Sequence, residues 1–249
     1  MPPSQVVTER VVTRGYELDA DSVLPLSAFM RYLEHGRWKI RDHLPIARFL
    51  PGGVVRAQRL VLREPVSFDV PLDLTTWVSR VGRTSLDMSH DLVRVEDGVV
   101  VASSAATLVA LGEDRRPTPV GAGLSELLVD ESRAELPGPE GSAPLGAFEV
   151  ALQVRPSDHD RQGHVNQARY GDFLVDALRL GAAAGRLDGV ARGRVGSVVL
   201  HHEQETRAGD ALVARAWPRA EAPTSFEVEL ARGASEVVAR ARVEFSPGG

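Results

Sequence analysis

The chain lacks cysteine altogether, so its 249 residues contain no disulfide, no thiolate metal ligand and no cysteine nucleophile. No apolar run approaches the ~18 residues of a membrane-spanning helix. Residues 1–15 also lack the apolar centre of a signal peptide, so we expect a cytoplasmic protein with no membrane association. The formal net charge of -5 and the pI near 5.8 offer no basic face for nucleic acid.

Several catalytic motifs are also missing. There is no G-x-S-x-G of a serine hydrolase, no H-E-x-x-H zinc motif and no glycine-rich nucleotide loop. His201 and His202 are adjacent on a predicted strand and would point to opposite faces, so we do not expect a metal site there. With 43% hydrophobic and 25% charged residues, the composition is that of a globular protein.

Residues 112–146 divide the chain. They are rich in proline, glycine and charge, which predicts a linker with one short helix at about Leu124–Val129. We therefore predict an N-terminal domain at 1–111, the linker at 112–146 and a C-terminal domain at 147–249. Each domain has the size of a small folding unit.

The two predicted domains share one order of elements, a strand, a helix and four further strands. The predicted helices are Leu26–His43 and about Gln167–Ala184. Asp97-Gly98 and Arg232-Gly233 are predicted hairpin turns. The predicted strands are Val6–Leu18, Val54–Leu62, Asp73–Val81, Ser85–Glu96, Val99–Leu111, Gly146–Arg155, Val195–Glu205, Asp210–Ala220, Thr224–Arg232 and Glu236–Phe245.

Residues 141 positions apart support an internal duplication. Asp19 matches Asp160, and Leu33 matches Leu174. A long helix followed by an antiparallel meander buries most apolar surface if the sheet wraps the helix. The sequence thus predicts an α+β fold with two similar repeats. Glu34 and Arg37, three residues apart on the first helix, are expected to form a surface ion pair.

Residues 155–170, RPSDHDRQGHVNQARY, carry the densest cluster of reactive side chains. A strand ends at Pro156, a polar turn contains Asp160 and Gly163, and Asn166 is suited to cap the following helix. A carboxylate and an imidazole would thus lie beside a helix N-terminus, whose N–H groups can polarise a carbonyl oxygen. This pattern suits acyl transfer or hydrolysis, although caps and turns alone would use many of the same residues.

The pattern D-x-x-G-H-V-N-x-x-x-Y, from Asp160 to Tyr170, resembles the signature of hotdog-fold thioesterases of the 4-hydroxybenzoyl-CoA thioesterase-like superfamily. With its upstream residues it is most similar to the two-repeat acyl-ACP thioesterases. The resemblance implies a tandem double hotdog, each repeat an antiparallel sheet wrapped around a long central helix. The N-terminal repeat would be degenerate, because residues 22–25, SVLP, replace the G-H-V-N turn.

The resemblance also implies roles for individual residues. Asp160 matches the nucleophile or general base, His164 the assisting histidine, and Glu205 a catalytic glutamate at the end of a strand. Gln162 takes a catalytic position where the family usually has asparagine, and Thr206 follows Glu205 where plant enzymes often have cysteine. Backbone N–H groups near Asn166 and Gln167 would polarise the thioester carbonyl. The implied substrate-binding residues are Gly163, Val165, Asn166, Gln167 and Tyr170.

The implied function is hydrolysis of an acyl-ACP or acyl-CoA thioester to a free carboxylic acid in fatty-acid or lipid metabolism, with water as second substrate and no cofactor. An acidic carrier protein would meet Arg155, Arg161 and Arg169. Two alternatives stay open, a hotdog 3-hydroxyacyl dehydratase or cyclase-like enzyme and a non-catalytic acyl-thioester binding protein. The sequence leaves chain length and carrier open, and allows either a monomer with an internal pseudo-dimer or a homodimer.

Overall fold

The computed structural model describes residues 5–50, 52–129, 136–160, 163–190, 193–233 and 235–247. The chain forms two compact units, Met1–Glu135 and Leu136–Gly249, here called unit 1 and unit 2. The division falls inside the predicted linker. No helix in the described ranges has both the length and the apolar character needed to cross a bilayer.

Unit 1 contains an antiparallel sheet of five strands in the order β1-β3-β4-β5-β2. An 18-residue helix, α1, follows β1, and a short helix, α2, precedes β2. The elements are β1 (Val6–Val12), α1 (Leu26–His43), α2 (Ile46–Phe49), β2 (Gly53–Leu62), β3 (Pro71–Val81), β4 (Ser85–Arg94) and β5 (Val100–Ala110).

Helix α1 has the bounds expected from its sequence. Its apolar residues recur at helical spacing, and Phe29, Leu33 and Ile40 are buried. The helix packs against β1, β3 and β4. It ends at His43 because the next residue, Leu44, precedes Pro45 and is extended, with φ -111° and ψ 151°.

Unit 2 repeats this arrangement. Its sheet has the order β6-β8-β9-β10-β7, which matches β1-β3-β4-β5-β2 strand for strand. A 15-residue helix, α3, packs against β6 and β8. The elements are β6 (Phe148–Gln153), α3 (Arg169–Ala183), β7 (Gly193–His202), β8 (Ala211–Arg219), β9 (Ala222–Arg232) and β10 (Glu236–Pro247).

Several predicted boundaries need correction. The first strand ends at Val12, not Leu18, because residues Gly15–Glu17 form a 3-10 turn. Strand β7 ends at His202, so Glu205 lies beyond the strand in the loop that follows it. The Asp97-Gly98 turn is confirmed: Gly98 has φ +71°, and the Asp97 carboxylate accepts a hydrogen bond from the Val99 N–H at 3.1 Å.

The predicted linker is partly built into the two units. Its first part forms a 3-10 helix, Ala122–Leu127, whose Leu124 is buried in the core of unit 1. Val129 donates its N–H to the Val78 carbonyl at 2.8 Å. Residues 130–135 lie outside the described ranges. In unit 2, Glu140 pairs with Arg219 at 3.5 Å and with Arg242 at 3.4 Å, on the sheet.

Candidate active site

The polar turn between β6 and α3 is closed by backbone hydrogen bonds among three predicted site residues. Asp160 donates its N–H to the His164 carbonyl at 2.9 Å, and Gly163 donates to the Asp160 carbonyl at 3.1 Å. Gly163 has φ +77°, a conformation that favours glycine. Gln162 and Arg161 lie outside the described residues, so their roles stay predictions.

The N-terminal repeat keeps the backbone of this turn. Asp19 donates its N–H to the Val23 carbonyl at 2.9 Å, and Ser22 donates to the Asp19 carbonyl at 3.0 Å. Ser22 has φ +61° although it has a side chain. The first repeat has therefore lost the glycine, histidine and asparagine of the motif but not the shape of the turn.

His164 is paired with Glu205. His164 Nε2 lies 3.3 Å from Glu205 Oε2, and the two side chains are 23% and 32% exposed. They are brought together by the Val165 N–H, which donates to the Thr206 carbonyl at 2.8 Å, and by a bridge between His164 and Arg207. The acid and the imidazole are thus held on two segments that pair with each other.

Glu205 is also fixed by arginines. Arg207 Nη2 lies 3.5 Å from Glu205 Oε2, and Arg232 Nη1 donates to the Glu205 carbonyl at 3.3 Å. Arg232 further binds Asp210 at 2.8 Å. Burial tends to raise the pKa of Asp210, but hydrogen bonds from the Arg207 N–H and the Arg232 guanidinium outweigh it and lower that pKa.

Asn166 was expected to cap α3, but the helix begins at Arg169, its N-cap residue is Ala168, and no side chain in the described ranges caps it. Asn166 instead closes the turn that leads into the helix. Its Oδ1 accepts the Ala168 N–H at 2.8 Å. The Asn166 N–H donates to the Asp158 carbonyl at 2.8 Å, and the Arg169 N–H donates to the Asn166 carbonyl at 2.9 Å. The Asn166 N–H is therefore already used within the fold, which corrects its expected oxyanion role. The role of Gln167 stays a prediction.

Tyr170 and Val165 are both buried. The Tyr170 hydroxyl donates to Thr206 Oγ1 at 2.8 Å, and its ring meets the His202 ring edge-on at 4.7 Å. Burial raises the pKa of Tyr170, against the effect of the Thr206 hydrogen bond. The side chain of Tyr170 thus ties α3 to the loop that carries Glu205.

Asp158, a fully buried carboxylate next to the turn, was not predicted from the sequence as a site residue. Its Oδ2 accepts the Arg155 N–H at 2.7 Å, and its Oδ1 lies 3.6 Å from Arg169 Nε. In the first repeat, Glu17 accepts the Arg14 N–H at 2.9 Å in the same way. The recurrence of an arginine and an acid three positions apart, once in each repeat, is the signal that could have revealed it.

His159 was likewise not predicted as a site residue. Its Nε2 is buried and has no hydrogen-bond partner among the described residues. The matching position in the first repeat is Leu18. A polar ring therefore occurs beside Asp160 only in the repeat that carries the full motif.

No protein-family model and no curated protein sequence matches the chain. Among solved structures, the 12:0-ACP thioesterase from Umbellularia californica is similar over 98% of this chain and 98% of its own, with a TM-score of 0.83 and 15% identity. An acyl-ACP thioesterase from Bacteroides thetaiotaomicron covers 97% of this chain and 98% of its own, with a TM-score of 0.82 and 20% identity. At such identities the likeness shows the fold, and it confirms that this chain is folded like the two-repeat acyl-ACP thioesterases.

Proposed function

We propose that the protein hydrolyses an acyl thioester, carried by ACP or CoA, to a free carboxylic acid and a thiol. The observation that carries this proposal is the His164–Glu205 pair at 3.3 Å, joined to the turn of Asp160. The fold shared with acyl-ACP thioesterases supports the same reaction. We further propose that each sheet wraps its long helix in the manner of a hotdog domain.

Asp160 is the proposed primary catalytic group. A carboxylate beside the thioester can take a proton from water as the water oxygen attacks the carbonyl carbon, or can itself attack that carbon. Either route forms a C–O bond, breaks the C–S bond and releases a thiolate. The thiolate is a good leaving group because a thiol has a pKa near 8.5.

His164 and Glu205 support that step in our proposal. A carboxylate in contact with an imidazole orients the ring and stabilises its protonated form. In the general-base route Asp160 keeps the proton taken from water, and protonated His164 can deliver its own proton to the leaving sulfur. Gln162, Gly163 and Gln167 are proposed to contact the thioester end of the substrate, with Gln167 contributing to the oxyanion site.

The carrier is the finer part of the proposal. Arg155 and Arg169 lie beside the turn, but both also contact the buried Asp158, and Arg169 pairs with Asp172 at 3.0 Å. Their positive charge is thus partly neutralised. We propose that Arg155, whose side chain is 61% exposed, together with Arg161, contributes to attraction of an acidic carrier protein.

The first test is release of free thiol from a panel of acyl-CoA and acyl-ACP thioesters. Asp160→Asn is expected to lower kcat by about 10²–10⁴-fold, the range for loss of a general acid or base. Asp19→Asn is the matched control, because Asp19 occupies the same place in the first repeat and its carboxylate accepts the Asp21 and Val23 N–H groups. Equal activity in both variants would rule out Asp160 as the catalytic carboxylate.

The panel also separates the alternatives. A dehydratase would remove water from a 3-hydroxyacyl thioester without releasing thiol, and a binding protein would do neither. Single turnover in ¹⁸O-water tests the nucleophilic route for Asp160. Label in the Asp160 carboxylate indicates an acyl–Asp160 anhydride hydrolysed at the aspartyl carbon, whereas label only in the product is expected from general-base catalysis and also from hydrolysis of that anhydride at its acyl carbon.

A further inference from the structure

The layer between α1 and the sheet of unit 1 contains an unusual polar row. Thr76, His90 and Ser104 are direct neighbours on β3, β4 and β5, and all three are buried. Ser104 Oγ lies 3.0 Å from His90 Nδ1. The row lies beneath Gly36 of α1, since a Cβ at that position would lie 2.5 Å from Thr76 Oγ1 and 3.3 Å from His90 Cδ2.

Arg37, the next residue of α1, adds a charge to this layer. It is only 6% exposed, although the sequence suggested a surface ion pair. Burial lowers the pKa of Arg37 to about 10, so the side chain is still a cation at neutral pH. Burial lowers the pKa of His90 well below its usual value, and the positive charge of Arg37 lowers it further. His90 is therefore neutral. The layer holds one buried positive charge beside uncharged donors.

Three atoms of this cluster have unmet hydrogen-bonding capacity. Arg37 Nη1, Thr76 Oγ1 and His90 Nε2 are buried and have no hydrogen-bond partner among the described residues. Buried polar atoms normally find partners, because leaving one unmet is unfavourable. The Glu34 carboxylate acts on the charge of Arg37 and raises its pKa, but Arg37 Nη1 donates no hydrogen bond to it.

Unit 2 shows that the fold does not need these polar groups. The row that starts at Val7 in β1 continues through Thr76, His90 and Ser104 to Leu60. The matching row in unit 2, which starts 141 positions after Val7, is apolar throughout. Its members are Phe148, Ala216, Val228, Ala241 and Leu200.

The residue of α3 that matches Arg37 is apolar as well. Leu178 stands in α3 where Arg37 stands in α1, and it is fully buried. An apolar layer would be the more stable choice, because buried polar and charged groups with unmet hydrogen bonds are strongly unfavourable. The polar cluster of unit 1 is therefore better explained by binding of a ligand than by the needs of packing.

We propose that Arg37, Thr76 and His90 form a binding site for the carboxylate group of a small organic acid. One carboxylate supplies a hydrogen-bonded anion that Arg37 Nη1 does not have, and its two oxygens can accept from the guanidinium and from the hydroxyl or imidazole. A dianion such as phosphate would leave a second charge unbalanced. The inference rests on unit 1 alone and does not depend on hydrolysis in unit 2.

The test measures binding of sodium acetate, hexanoate and decanoate to the full chain by calorimetry at constant ionic strength. Sodium chloride and the corresponding primary amides are the references. At least one carboxylate is expected to bind saturably and about tenfold or more tightly than chloride and its own amide. No binding by any carboxylate, or equal binding by chloride or the amide, would overturn the proposal.

Variants locate the site. Arg37→Leu is expected to weaken carboxylate binding by about tenfold or more, and Arg37→Lys to weaken it less, since the charge is kept. Arg31→Leu removes an exposed arginine of the same helix and should leave binding unchanged. Arg37→Leu with Thr76→Ala and His90→Val installs the residues of unit 2 and should abolish binding. Unaltered binding in Arg37→Leu would refute the site.

The same titration is repeated with Asp160→Asn. Carboxylate binding should be unchanged in that variant even though thiol release is lost. Loss of carboxylate binding in Asp160→Asn would contradict a site confined to unit 1. A protein that binds carboxylates but releases no thiol would sink only the proposed hydrolysis.

Discussion

Ser22 holds a backbone conformation that is unfavourable for any residue with a Cβ. Its φ of +61° lies in the same left-handed region as the φ of +77° of Gly163, the matching residue of the second repeat. The left-handed region costs a residue with a Cβ about 1–2 kcal/mol. Replacement by glycine recovers only part of this, because glycine loses more conformational entropy on folding. We expect Ser22→Gly to raise the free energy of unfolding by about 0.5–1 kcal/mol, measured in urea.

Two further variants check this interpretation. Ser22→Ala keeps the Cβ and should not stabilise the protein. Gly163→Ala should destabilise it by about 1 kcal/mol, because it places a Cβ at a positive φ. Stabilisation by Ser22→Ala equal to that by Ser22→Gly would show that the gain does not come from the backbone.

His90 makes the stability of the protein depend on pH. Burial, followed by the charge of Arg37, lowers the pKa of His90 well below its usual value. Below about pH 6.5 the unfolded chain binds a proton at this site that the folded protein does not, so the free energy of unfolding falls as the pH is lowered. The contribution is at most about 1.4 kcal/mol per pH unit.

The measurement is urea unfolding at pH 7.5 and pH 5.5 for the wild type and His90→Val. The difference in unfolding free energy between the two pH values should be smaller in His90→Val, because the titrating group is gone. Arg37 stays a cation at both pH values, so its charge changes little. An unchanged pH difference would exclude His90 as its source.

At this scale, spacing along the chain predicted more than residue type did. The motif from Asp160 to Tyr170 indicated a turn, which the structure contains, and a helix cap at Asn166, whose side chain instead bonds Ala168 just before the helix. Arg37 was misjudged because it is charged. Its place between Leu33 and Ile40, four and three residues away, is on the buried side of α1, and the helical period alone would have indicated burial.

Among the elements, the turn that leads into α3 is closed by a single side chain. Asn166 Oδ1 accepts the N–H of Ala168, the N-cap residue of α3, at 2.8 Å, so loss of that side chain leaves the donor without this partner. Asn166→Ala is expected to lower the free energy of unfolding by about 0.5–1.5 kcal/mol. Asn166→Asp keeps an acceptor oxygen and should retain most of the stability, as measured by thermal unfolding. Equal losses in the two variants would show that this hydrogen bond is not the cause.

The centres of strands could be predicted from sequence, but several ends could not. Alternating and β-branched residues predicted β2 to within a residue, whereas β7 was extended as far as Glu205. The chain leaves the strand after His202 because hydrogen bonds between Arg207 and Asp210, and Gly209 at φ +83°, form a turn. Such turn contacts leave no repeating pattern of apolar residues in the sequence, so they could not be predicted from it.

Across the molecule, the segment after β5 is a part of unit 1 and not merely a tether. Leu124 is fully buried with Leu44, Leu50 and Val78. Leu124→Ala is expected to lower the free energy of unfolding by about 2–4 kcal/mol through the cavity it leaves. Leu145, also within the predicted linker, is fully exposed, and Leu145→Ala should change stability by less than about 0.5 kcal/mol.

Similar effects of the two leucine variants in urea unfolding would mean that Leu124 is not part of a cooperative core. The sequence did not predict this contrast, because proline and glycine indicate where regular structure stops and not whether the intervening side chains pack. The two repeats, by contrast, were visible in the sequence through residues 141 positions apart. The polar layer around Arg37 was not, because it is formed by three strands and a helix that are distant along the chain.

The turn shared by the two repeats also has a practical meaning. The N-terminal repeat contains a second copy of the turn of Asp160, with the same backbone hydrogen bonds but with Ser22, Val23 and Pro25 in place of glycine, histidine and asparagine. A designer who wished to graft the motif of the second repeat into the first would need to change side chains and not the length of the loop. The N-terminal repeat therefore offers a backbone template on which the proposed site residues can be tested a second time within one chain.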